Sequence, residues 1–297
     1  MSVVASDQDQ LDAALDRRLA RVGRRSARWR RFTLEAGIAL IALVIVASIV
    51  GEFVYPNPNA QDLAQALLPP SLAHPFGTDN LGRDVLARTL AGTWIDLGVA
   101  LGATYLALVL GVVCGTVAGY FRGWPERIIM RFVEVVLALP FMVLVIAIVA
   151  IMGPGITGVF VGLTIGGWGF YARLARAEML VLNEKSFVHA AQTLGYSHWR
   201  VMWRHAIPNL IRPSLVYSMS DIVLNITWVA SLSYLGLGVQ PPTPEWGSII
   251  ADGQSYLLNA WWISTLPGLV VVIVGIGFSL VGDGLADRLR ARRAVVR

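Results

Sequence analysis

The sequence is poor in charge and has a single cysteine and a single lysine. Only 14% of its 297 residues are Asp, Glu, Lys or Arg, whereas a soluble globular protein carries about 25%. This chain has too few charges to cover a water-facing surface, so we expect much of its surface to face lipid. Cys114 stands alone in an apolar run, which excludes an intrachain disulfide and argues against a cysteine metal cluster.

The scarcity of lysine excludes a nucleotide site of the P-loop type. Such a loop ends in Gly-Lys-Ser/Thr, because backbone amides and a lysine hold the phosphates, but Lys185 follows Glu184. The sequence also contains no His-Glu-x-x-His and no Gly-x-Ser-x-Gly. No cysteine or paired carboxylate joins the four histidines, which are His74, His189, His198 and His205. We therefore expect a chain that is not an enzyme and holds no metal or cofactor of its own.

Long charge-free runs are what the sequence has in abundance. A helix that spans lipid needs about 20 mostly apolar residues. The run from 135 to 172 is too long for one span, and Gly153-Pro154-Gly155 breaks it near its middle. The predicted spans are 36–51 (extendable to about 55), 97–121, 135–152, 156–172, 214–236 and 263–282. The predicted fold class is an all-α membrane protein with six transmembrane helices.

The basic residues are distributed unevenly about these spans. Of the 24 Lys and Arg residues, only Arg83 and Arg88 lie on the side opposite the termini. Short cytoplasmic loops carry the excess of Lys and Arg, so both termini are predicted to be cytoplasmic. The net charge of +5 then follows from membrane topology, and no nucleic-acid partner is needed to explain it.

The tail before the first span, residues 1–33, is polar and basic. The first span is long, follows about 33 polar residues and lacks a convincing small-residue cleavage site, so we do not expect it to be a cleaved signal. Two interpretations of the tail stay open. Apolar residues at near-helical spacing favour a helix on the anionic inner leaflet, and the alternative is a solvated, partly disordered tail. The spaced residues are Leu11, Leu15, Leu19 and Val22.

A long polar loop, residues 186–210, lies between the fourth and fifth spans. Its pattern predicts two short helices. Gly195 fits the positive-φ position that ends the first, Ser197 fits the cap of the second, and Pro208 is predicted to end the second, because proline disfavours helical geometry in the residue before it.

The same loop combines small and bulky apolar residues. Ala190 and Ala191 offer a small-residue face, and Trp199, Met202 and Trp203 are bulky and apolar. Exposed apolar patches of this kind mark partner sites. The alternative is an interfacial helix that lies beneath its own bundle.

The order of residues in this loop resembles a known pattern. Ala190-Ala191, then Gly195, then Arg204-His205, then Pro208-Asn209 resembles the coupling loop of the permease subunits of ABC importers. The glutamate that leads this pattern in the family is His189 here. This departure weakens any salt bridge from that position but not the loop assignment.

Three further segments resemble the dipeptide/oligopeptide and nickel branch of that family, in its C-type subunit. They are residues 74–84, 232–247 and 282–289. With the loop, the resemblance covers about residues 74 to 290, and the N-terminal tail lies outside it. The resemblance implies a type I ABC importer permease core, similar to that of the methionine importer.

The domain organisation follows from the spans and the resemblance together. The expected segments are a basic cytoplasmic tail at 1–33, a first span at 34–55, an extracytoplasmic segment at 56–95, a permease core with spans two to six at 96–290, and a cytoplasmic tail at 291–297. The expected location is the bacterial inner membrane.

The resemblance also implies partners and coupling residues. We expect a second permease subunit in a heterodimer, one or two cytoplasmic ATPases that bind ATP and Mg²⁺, and an extracytoplasmic substrate-binding protein. The residues expected to couple to the ATPases are His189, Ala190, Ala191, Gly195, Trp199, Trp203, Arg204, His205 and Pro208.

The segment before the second span carries a further charged motif. Residues 76–90 are predicted to form a surface helix that Thr78 or Asp79 caps, with Asp84 and Arg88 as an ion pair four residues apart. A contact with the binding protein or the partner permease through Asp79, Arg83 and Asp84, and a structural lid on the bundle, are both open interpretations.

Asp221 is the ionisable residue well inside a predicted span. Insertion of such a group costs about 2.5–3.5 kcal/mol, so it is expected to face the bundle interior, a cavity or a partner. Asp221 and Asn225 are hypothesised to line the translocation pathway. The alternative is a residue at the helix end that reaches the cytoplasm. The family has a glutamate eight residues later, where this chain has Val229.

The function expected from these observations is that of a permease in an ATP-driven importer, most consistent with di- or oligopeptides as substrate. Nickel, glutathione and haem stay open as substrates. A self-contained channel or carrier would carry several buried charges and internal repeats, and a membrane enzyme would show a cluster of His, Asp or Glu. The sequence has neither pattern.

Overall fold

The computed structural model describes residues 32–185 and 193–295, and these ranges are helical with short connections. The only β pairing within them is an isolated bridge between Thr78 and Asp84. The helices are α1 (Phe32–Val54), α2 (Val85–Phe121), α3 (Gly123–Ala138), α4 (Phe141–Met152), α5 (Ile156–Asn183), α6 (His198–Tyr234), α7 (Trp246–Gly253) and α8 (Trp262–Val295). The predicted all-α class is confirmed.

Four of these helices are long and apolar enough to cross a membrane: α1, α2, α6 and the Trp262–Leu289 part of α8. The α3–α4 pair makes a fifth candidate if the two bent helices count as one span. The 28-residue α5 is long enough, but its glycines and charged carboxyl-terminal half make it less apolar. The number of spans, six, therefore stays a prediction.

The predicted span over 135–152 is broken by a bend, because two helices meet there at 93°. The chain turns at Leu139, whose backbone is extended (φ −85°, ψ 141°) immediately before Pro140. Proline disfavours helical geometry in the residue that precedes it, which accounts for the bend at this position. The turn predicted at residues 153–155 is confirmed, with Gly153 and Gly155 both at positive φ.

The second span begins earlier than predicted, and the surface helix over 76–90 is wrong. Residues 76–84 form turns, and α2 starts at Val85 with Asp84 as its cap, whose side chain accepts from the amide of Ala87 at 2.8 Å. The helix then continues for 37 residues, about 55 Å. This exceeds the roughly 30 Å of bilayer hydrocarbon, so α2 extends into the interfacial regions.

The centre of the bundle is the contact between α2 and α5, which small residues make close. Gly111, Gly115 and Gly119 lie four residues apart on one face of α2. A methyl group at Gly119 would stand 2.7 Å from Met179 Cβ, and one at Gly115 would collide with the backbone of Ala172. Membrane helices approach each other closely through such small-residue faces, so the packing is stabilised by dispersion and backbone contacts.

Candidate functional site

The described part of the predicted coupling loop, residues 193–210, is called the docking loop below. Gly195 has φ +76°, as expected of the residue that ends a helix. Ser197 caps the following helical turn, and its side chain accepts from the amide of Arg200. Both local predictions are confirmed. His189, Ala190 and Ala191, also predicted to couple, lie outside the described residues.

The prediction that Pro208 ends the second loop helix is wrong. The turn that Ser197 caps runs through a π-helical stretch, Val201–Ala206, directly into the long helix, so α6 is continuous from His198 to Tyr234. In the wider π turn the amide of Ile207 reaches back to the carbonyl of Met202. Proline has no N–H to donate, and here it stands near the start of the α-helical part, where a missing donor is tolerated.

Two tryptophans dominate the exposed surface of the docking loop. Trp199 is 64% exposed and Trp203 is 45% exposed, with ring centroids 5.3 Å apart. Leu194 is exposed beside them in sequence. Met202, predicted to belong to the same patch, is instead only 4% exposed, since its side of the helical turn faces the bundle. The exposed apolar surface is therefore centred on the aromatic pair.

The opposite side of the docking loop ties it to the bundle. Val201 and Ala206 are fully buried, and the Nδ1 atom of His198 lies 2.9 Å from the hydroxyl of Tyr120 on α2. His205 stacks on Tyr196 with its ring only 12° from parallel. Because the buried side anchors the loop, the exposed tryptophans are not needed to pack it against its own bundle.

The polar residues of this loop are also at the surface. Arg204 is exposed, and the guanidinium of Arg200 lies 5.0 Å from the centroid of the Tyr196 ring. Pro208 is exposed at the point where α6 enters the bundle. The surface is thus aromatic at its centre with cations beside it, a composition that is typical of protein–protein contacts.

Asp221 lies deep in α6, about 20 Å from the helix end at Tyr234. It is 8% exposed, and its Oδ2 atom accepts from the hydroxyl of Tyr171 on α5 at 2.7 Å. One turn further on, Asn225 donates to the hydroxyl of Thr104 on α2, also at 2.7 Å. The structure therefore places this polar cluster among α2, α5 and α6, and not at a helix end.

At the other end of the bundle, the residues before α2 form a network that we call the polar cap. Asp79 is buried, and its Oδ2 atom accepts from Arg83 Nε at 2.6 Å. Its Oδ1 atom accepts from the amides of Leu81 and Arg83. Arg88 is also buried and donates to Asn59 at 2.7 Å.

The predicted ion pair between Asp84 and Arg88 is wrong, because each side chain points to another partner. Asp84 Oδ2 lies 2.8 Å from His74 Nδ1, and Arg88 Nε lies 3.9 Å from Asp79 Oδ2. Because the helix starts at Val85, Asp84 is its N-terminal capping residue, and its side chain is turned towards the first amides of the helix. The charged side chains of the polar cap are therefore paired with other residues of this chain.

The polar cap also holds the segment before α2 to the far end of the chain. Trp262 Nε1, at the start of α8, donates to the carbonyl of Thr78 at 3.1 Å, and Arg83 reaches Asp252 on α7 at 3.5 Å. Burial raises the pKa of Asp252, while the Arg83 and Arg88 guanidinium groups partly oppose this rise. These contacts join residues more than 160 positions apart.

Comparison with known proteins identifies the bundle and the loop together. The family described as the binding-protein-dependent transport system inner membrane component matches residues 90–295, which is more than half of the chain. The chain belongs to this family. The permease is accordingly a multi-pass membrane component of an ABC transport system, and it is not itself the ATPase of that system.

Curated relatives of the permease span nearly its whole length. It is 35% identical over 257 residues to the probable D,D-dipeptide transport system permease protein DdpC of Escherichia coli, covering 86% of each chain. It is 36% identical over 267 residues to the glutathione transport system permease protein GsiD of Pectobacterium atrosepticum, covering 88% of this chain and 89% of the relative. The predicted family resemblance is confirmed.

Solved structures show the same fold at lower identity. The inward-facing methionine ABC transporter MetNI contains a chain with TM-score 0.54 and 18% identity, which covers 69% of the permease and 95% of that chain. An amino acid ABC transporter crystallised with histidines gives TM-score 0.53 at 17% identity. The predicted type of permease core is therefore confirmed for the fold.

Sequence reasoning missed several polar residues that the permease brings together. Tyr171 and Thr104, the partners of Asp221 and Asn225, are isolated polar residues within apolar helices and give little signal. Asp96 and Glu245 are both fully buried near the polar cap. Asp96 gave one signal, because it is the charge that immediately precedes the apolar run from 97 to 121.

Proposed function

We propose that the permease forms half of the translocation pathway of an importer for short peptides and receives the ATPase through its docking loop. The observation that carries this proposal is the exposed Trp199–Trp203 pair at the start of α6. Aromatic residues are enriched at the centres of protein interfaces, where they contribute most of the binding energy. The expected coupling residues of the loop are Gly195, Trp199, Trp203, Arg204, His205 and Pro208, with His189, Ala190 and Ala191 before them.

The continuity of α6 supports a direct mechanical route from the docking loop to the bundle. The helix that begins next to the tryptophans also carries Asp221 and Asn225. When the ATPases close on ATP, they would draw the two docking loops of a permease pair together, and the long helices would move with them. The pathway then alternates between two accessible states, whose populations nucleotide binding shifts. ATP and Mg²⁺ bind to the partner ATPases.

We propose that the assembly contains a second, different permease subunit, one or two ATPases and an extracytoplasmic substrate-binding protein. The family description itself names a binding-protein-dependent system. The distribution of arginine supports cytoplasmic termini and a cytoplasmic docking loop. The polar cap, which includes Asp79, Arg83 and Asp84, then faces the extracytoplasmic side.

Short peptides are the substrate class that the relatives support best. Their names state D,D-dipeptide, peptide and glutathione transport, and glutathione is itself a tripeptide. Nickel and haem are alternatives within the same branch. The cognate binding protein selects the substrate, so its binding preference identifies the cargo.

Reconstitution in liposomes tests the proposal. The permease together with its partner permease, ATPases and binding protein is expected to accumulate a labelled dipeptide only when ATP is supplied. Accumulation by the permease alone, without ATPases, would instead identify an ATP-independent carrier. A Trp199→Ala/Trp203→Ala double variant should lose ATP-driven uptake, and Trp261→Ala, an exposed tryptophan at the opposite end of the bundle, should retain it.

A further inference from the structure

Two carboxyl groups meet inside the bundle near the polar cap, and the proposed transport mechanism uses neither. Asp96 lies on α2, and Glu245 is the residue that caps α7. Both side chains have no exposed surface. A buried carboxylate is costly unless it is paired or hydrogen-bonded, so the arrangement of these two groups requires an explanation.

The hydrogen bonds around Glu245 account for both of its oxygens. Its Oε1 accepts from the amide of Gly247 and its Oε2 from the amide of Ser248, each at 2.8 Å. The next amide, that of Trp246, donates to Asp96 Oδ2 at 3.0 Å. The first three amides of α7 are thus held by two carboxyl groups, one of which comes from another helix.

The remaining oxygen, Asp96 Oδ1, has no partner among the described residues. The carboxyl groups of Asp96 and Glu245 bind consecutive amides, those of Trp246 and Gly247, so they lie side by side at the start of α7. Two ionised carboxylates at this separation repel each other and neither can donate, so they share a site only if one of them is protonated. One proton between them supplies the missing hydrogen bond to Asp96 and removes the repulsion.

No cation stands in for that proton within residues 32–185 and 193–295. Neither Asp96 nor Glu245 takes part in any ion pair among these residues. Arg88, on the same helix as Asp96, is directed towards Asn59 and Asp79. Asp252 on α7 faces Arg83.

The other helices that pack here offer neutral groups. Ser48 of α1 donates to Thr93 of α2, and Trp246 Nε1 donates to the carbonyl of Thr89. The backbone of Ala230 on α6 lies against Gly247. Among residues 32–185 and 193–295, no basic side chain forms an ion pair with Asp96 or Glu245.

We propose that Asp96 and Glu245 form a proton-binding site that holds one proton at neutral pH and fastens α7 to α2. Glu245 keeps its two amide hydrogen bonds as the ionised partner, and Asp96 donates the shared proton to it. The pair then carries a single negative charge at the amide end of α7, where a helix stabilises an anion. Nothing in the transport proposal depends on this site, so the two proposals fail independently.

Infrared spectroscopy of the full-length permease in lipid nanodiscs tests the protonation directly. At about pH 7 the wild type should show the C=O stretch of a buried protonated carboxyl group, and Asp96→Asn should lose that band. Glu52→Gln removes an exposed carboxyl group and should leave it in place. An unchanged band in Asp96→Asn, or a band lost equally in Glu52→Gln, would overturn the proposal.

The pH dependence of stability gives a second, independent readout. In the unfolded chain Asp96 is ionised above about pH 4, so the folded state holds one more proton and raising the pH destabilises it. The unfolding equilibrium constant of the wild type should rise relative to that of Asp96→Asn by up to tenfold per pH unit. A pH-independent ratio between about pH 5 and pH 8 contradicts the site.

Glu245→Gln serves where Asp96→Asn does not fold, because glutamine keeps one acceptor for the α7 amides. It should shift the infrared band, since the proton on Asp96 then faces an amide oxygen in place of a carboxylate, and an unshifted band would contradict the shared proton. Sodium is the rival occupant. If the wild type is stabilised by Na⁺ but not by choline at equal ionic strength, and the infrared band is missing, the pair binds a cation and not a proton. Equal stability in both salts, together with the band, supports the proton.

Discussion

The two ends of the permease differ in whether their functional side chains are exposed or buried. The docking loop is exposed and aromatic, and its polar side chains make few contacts with the bundle. The polar cap buries Asp79, Arg83 and Arg88 and satisfies them within the chain. A buried charge network without its partners is strongly destabilised, whereas an exposed aromatic pair contributes little until a partner covers it. The comparison indicates that the docking loop presents a surface for a partner, whereas the polar cap is complete within the chain.

The largest effect is expected from breaking the polar cap. Asp79→Ala removes the partner of two buried arginines, and loss of one member of a buried pair costs about 3–5 kcal/mol. Chemical unfolding in detergent should show this loss directly. Asp62→Ala, which removes an exposed acid that caps a single 3₁₀ turn in the same segment, should cost about 1 kcal/mol or less. Equal losses in the two variants would show that the cap does not depend on its buried charges.

The docking loop should respond in binding and not in stability. Replacing Trp199 and Trp203 by alanine is expected to weaken ATPase binding by at least about 2 kcal/mol, roughly thirtyfold. The free energy of unfolding of the isolated permease should change by less than about 0.5 kcal/mol, because both rings are exposed. Co-purification and unfolding assays measure the two effects. A double variant that is clearly less stable to unfolding but still binds the ATPase would show that the tryptophans stabilise the permease and do not bind the partner.

Asp221 lies between these ends, and its variants separate pathway from packing. Asp221→Ala should lower the rate of ATP-driven uptake about tenfold. Tyr171→Phe removes one hydrogen bond to Asp221 and should lower the free energy of unfolding by at most about 3 kcal/mol. Uptake assays in reconstituted vesicles provide the measurement. Full retention of transport in Asp221→Ala, with normal folding, would exclude a role in the pathway.

The smallest effect is expected at Asp252, on the half-exposed edge of the polar cap. Burial raises its pKa above the ordinary aspartate value, so its folded ionised form is slightly disfavoured. The folded state accommodates the protonated carboxyl group better than the ionised one. The stability that Asp252 contributes is therefore fully present below the unfolded pKa of about 3.9, and it is lost as the pH rises through the folded pKa. Asp252→Asn should therefore be more stable than the wild type at neutral pH, by less than about 0.5 kcal/mol after solvent screening. The difference should vanish near about pH 3 in thermal unfolding, and a difference that grows on acidification would be inconsistent with the raised pKa.

Local signals in the sequence predicted the permease most successfully where one residue determines the backbone. Gly195 and Ser197 have the geometries expected from their types, and Gly153 and Gly155 make the turn before α5. These outcomes follow from glycine's access to positive φ and from side-chain capping, which tertiary contacts rarely change. The apolar runs likewise predicted the helical class, since a lipid-facing backbone must satisfy its own hydrogen bonds.

The errors arose where two residue types competed or where a partner was distant in sequence. Sequence pattern predicts that Pro208 ends a helix, but an adjacent π turn accommodates it. Spacing alone pairs Arg88 with Asp84, whereas the fold offers it Asp79 and Asn59. The hydrogen bond from the Trp246 amide to Asp96 joins residues 150 positions apart, and no periodicity within one helix reveals such a contact.

The π-helical stretch at Val201–Ala206 has a geometric consequence for everything beyond it on α6. A π turn holds one residue more than an α turn, so it sets the following helix out of phase by one position. If contact with the ATPase converted this stretch into ordinary α-helical geometry, the rest of α6 would rotate by about 100° and shift along its axis by about 1.5 Å. The side chains that α6 presents to α2 and α5 would then change, so an event at the docking loop would alter the packing inside the bundle.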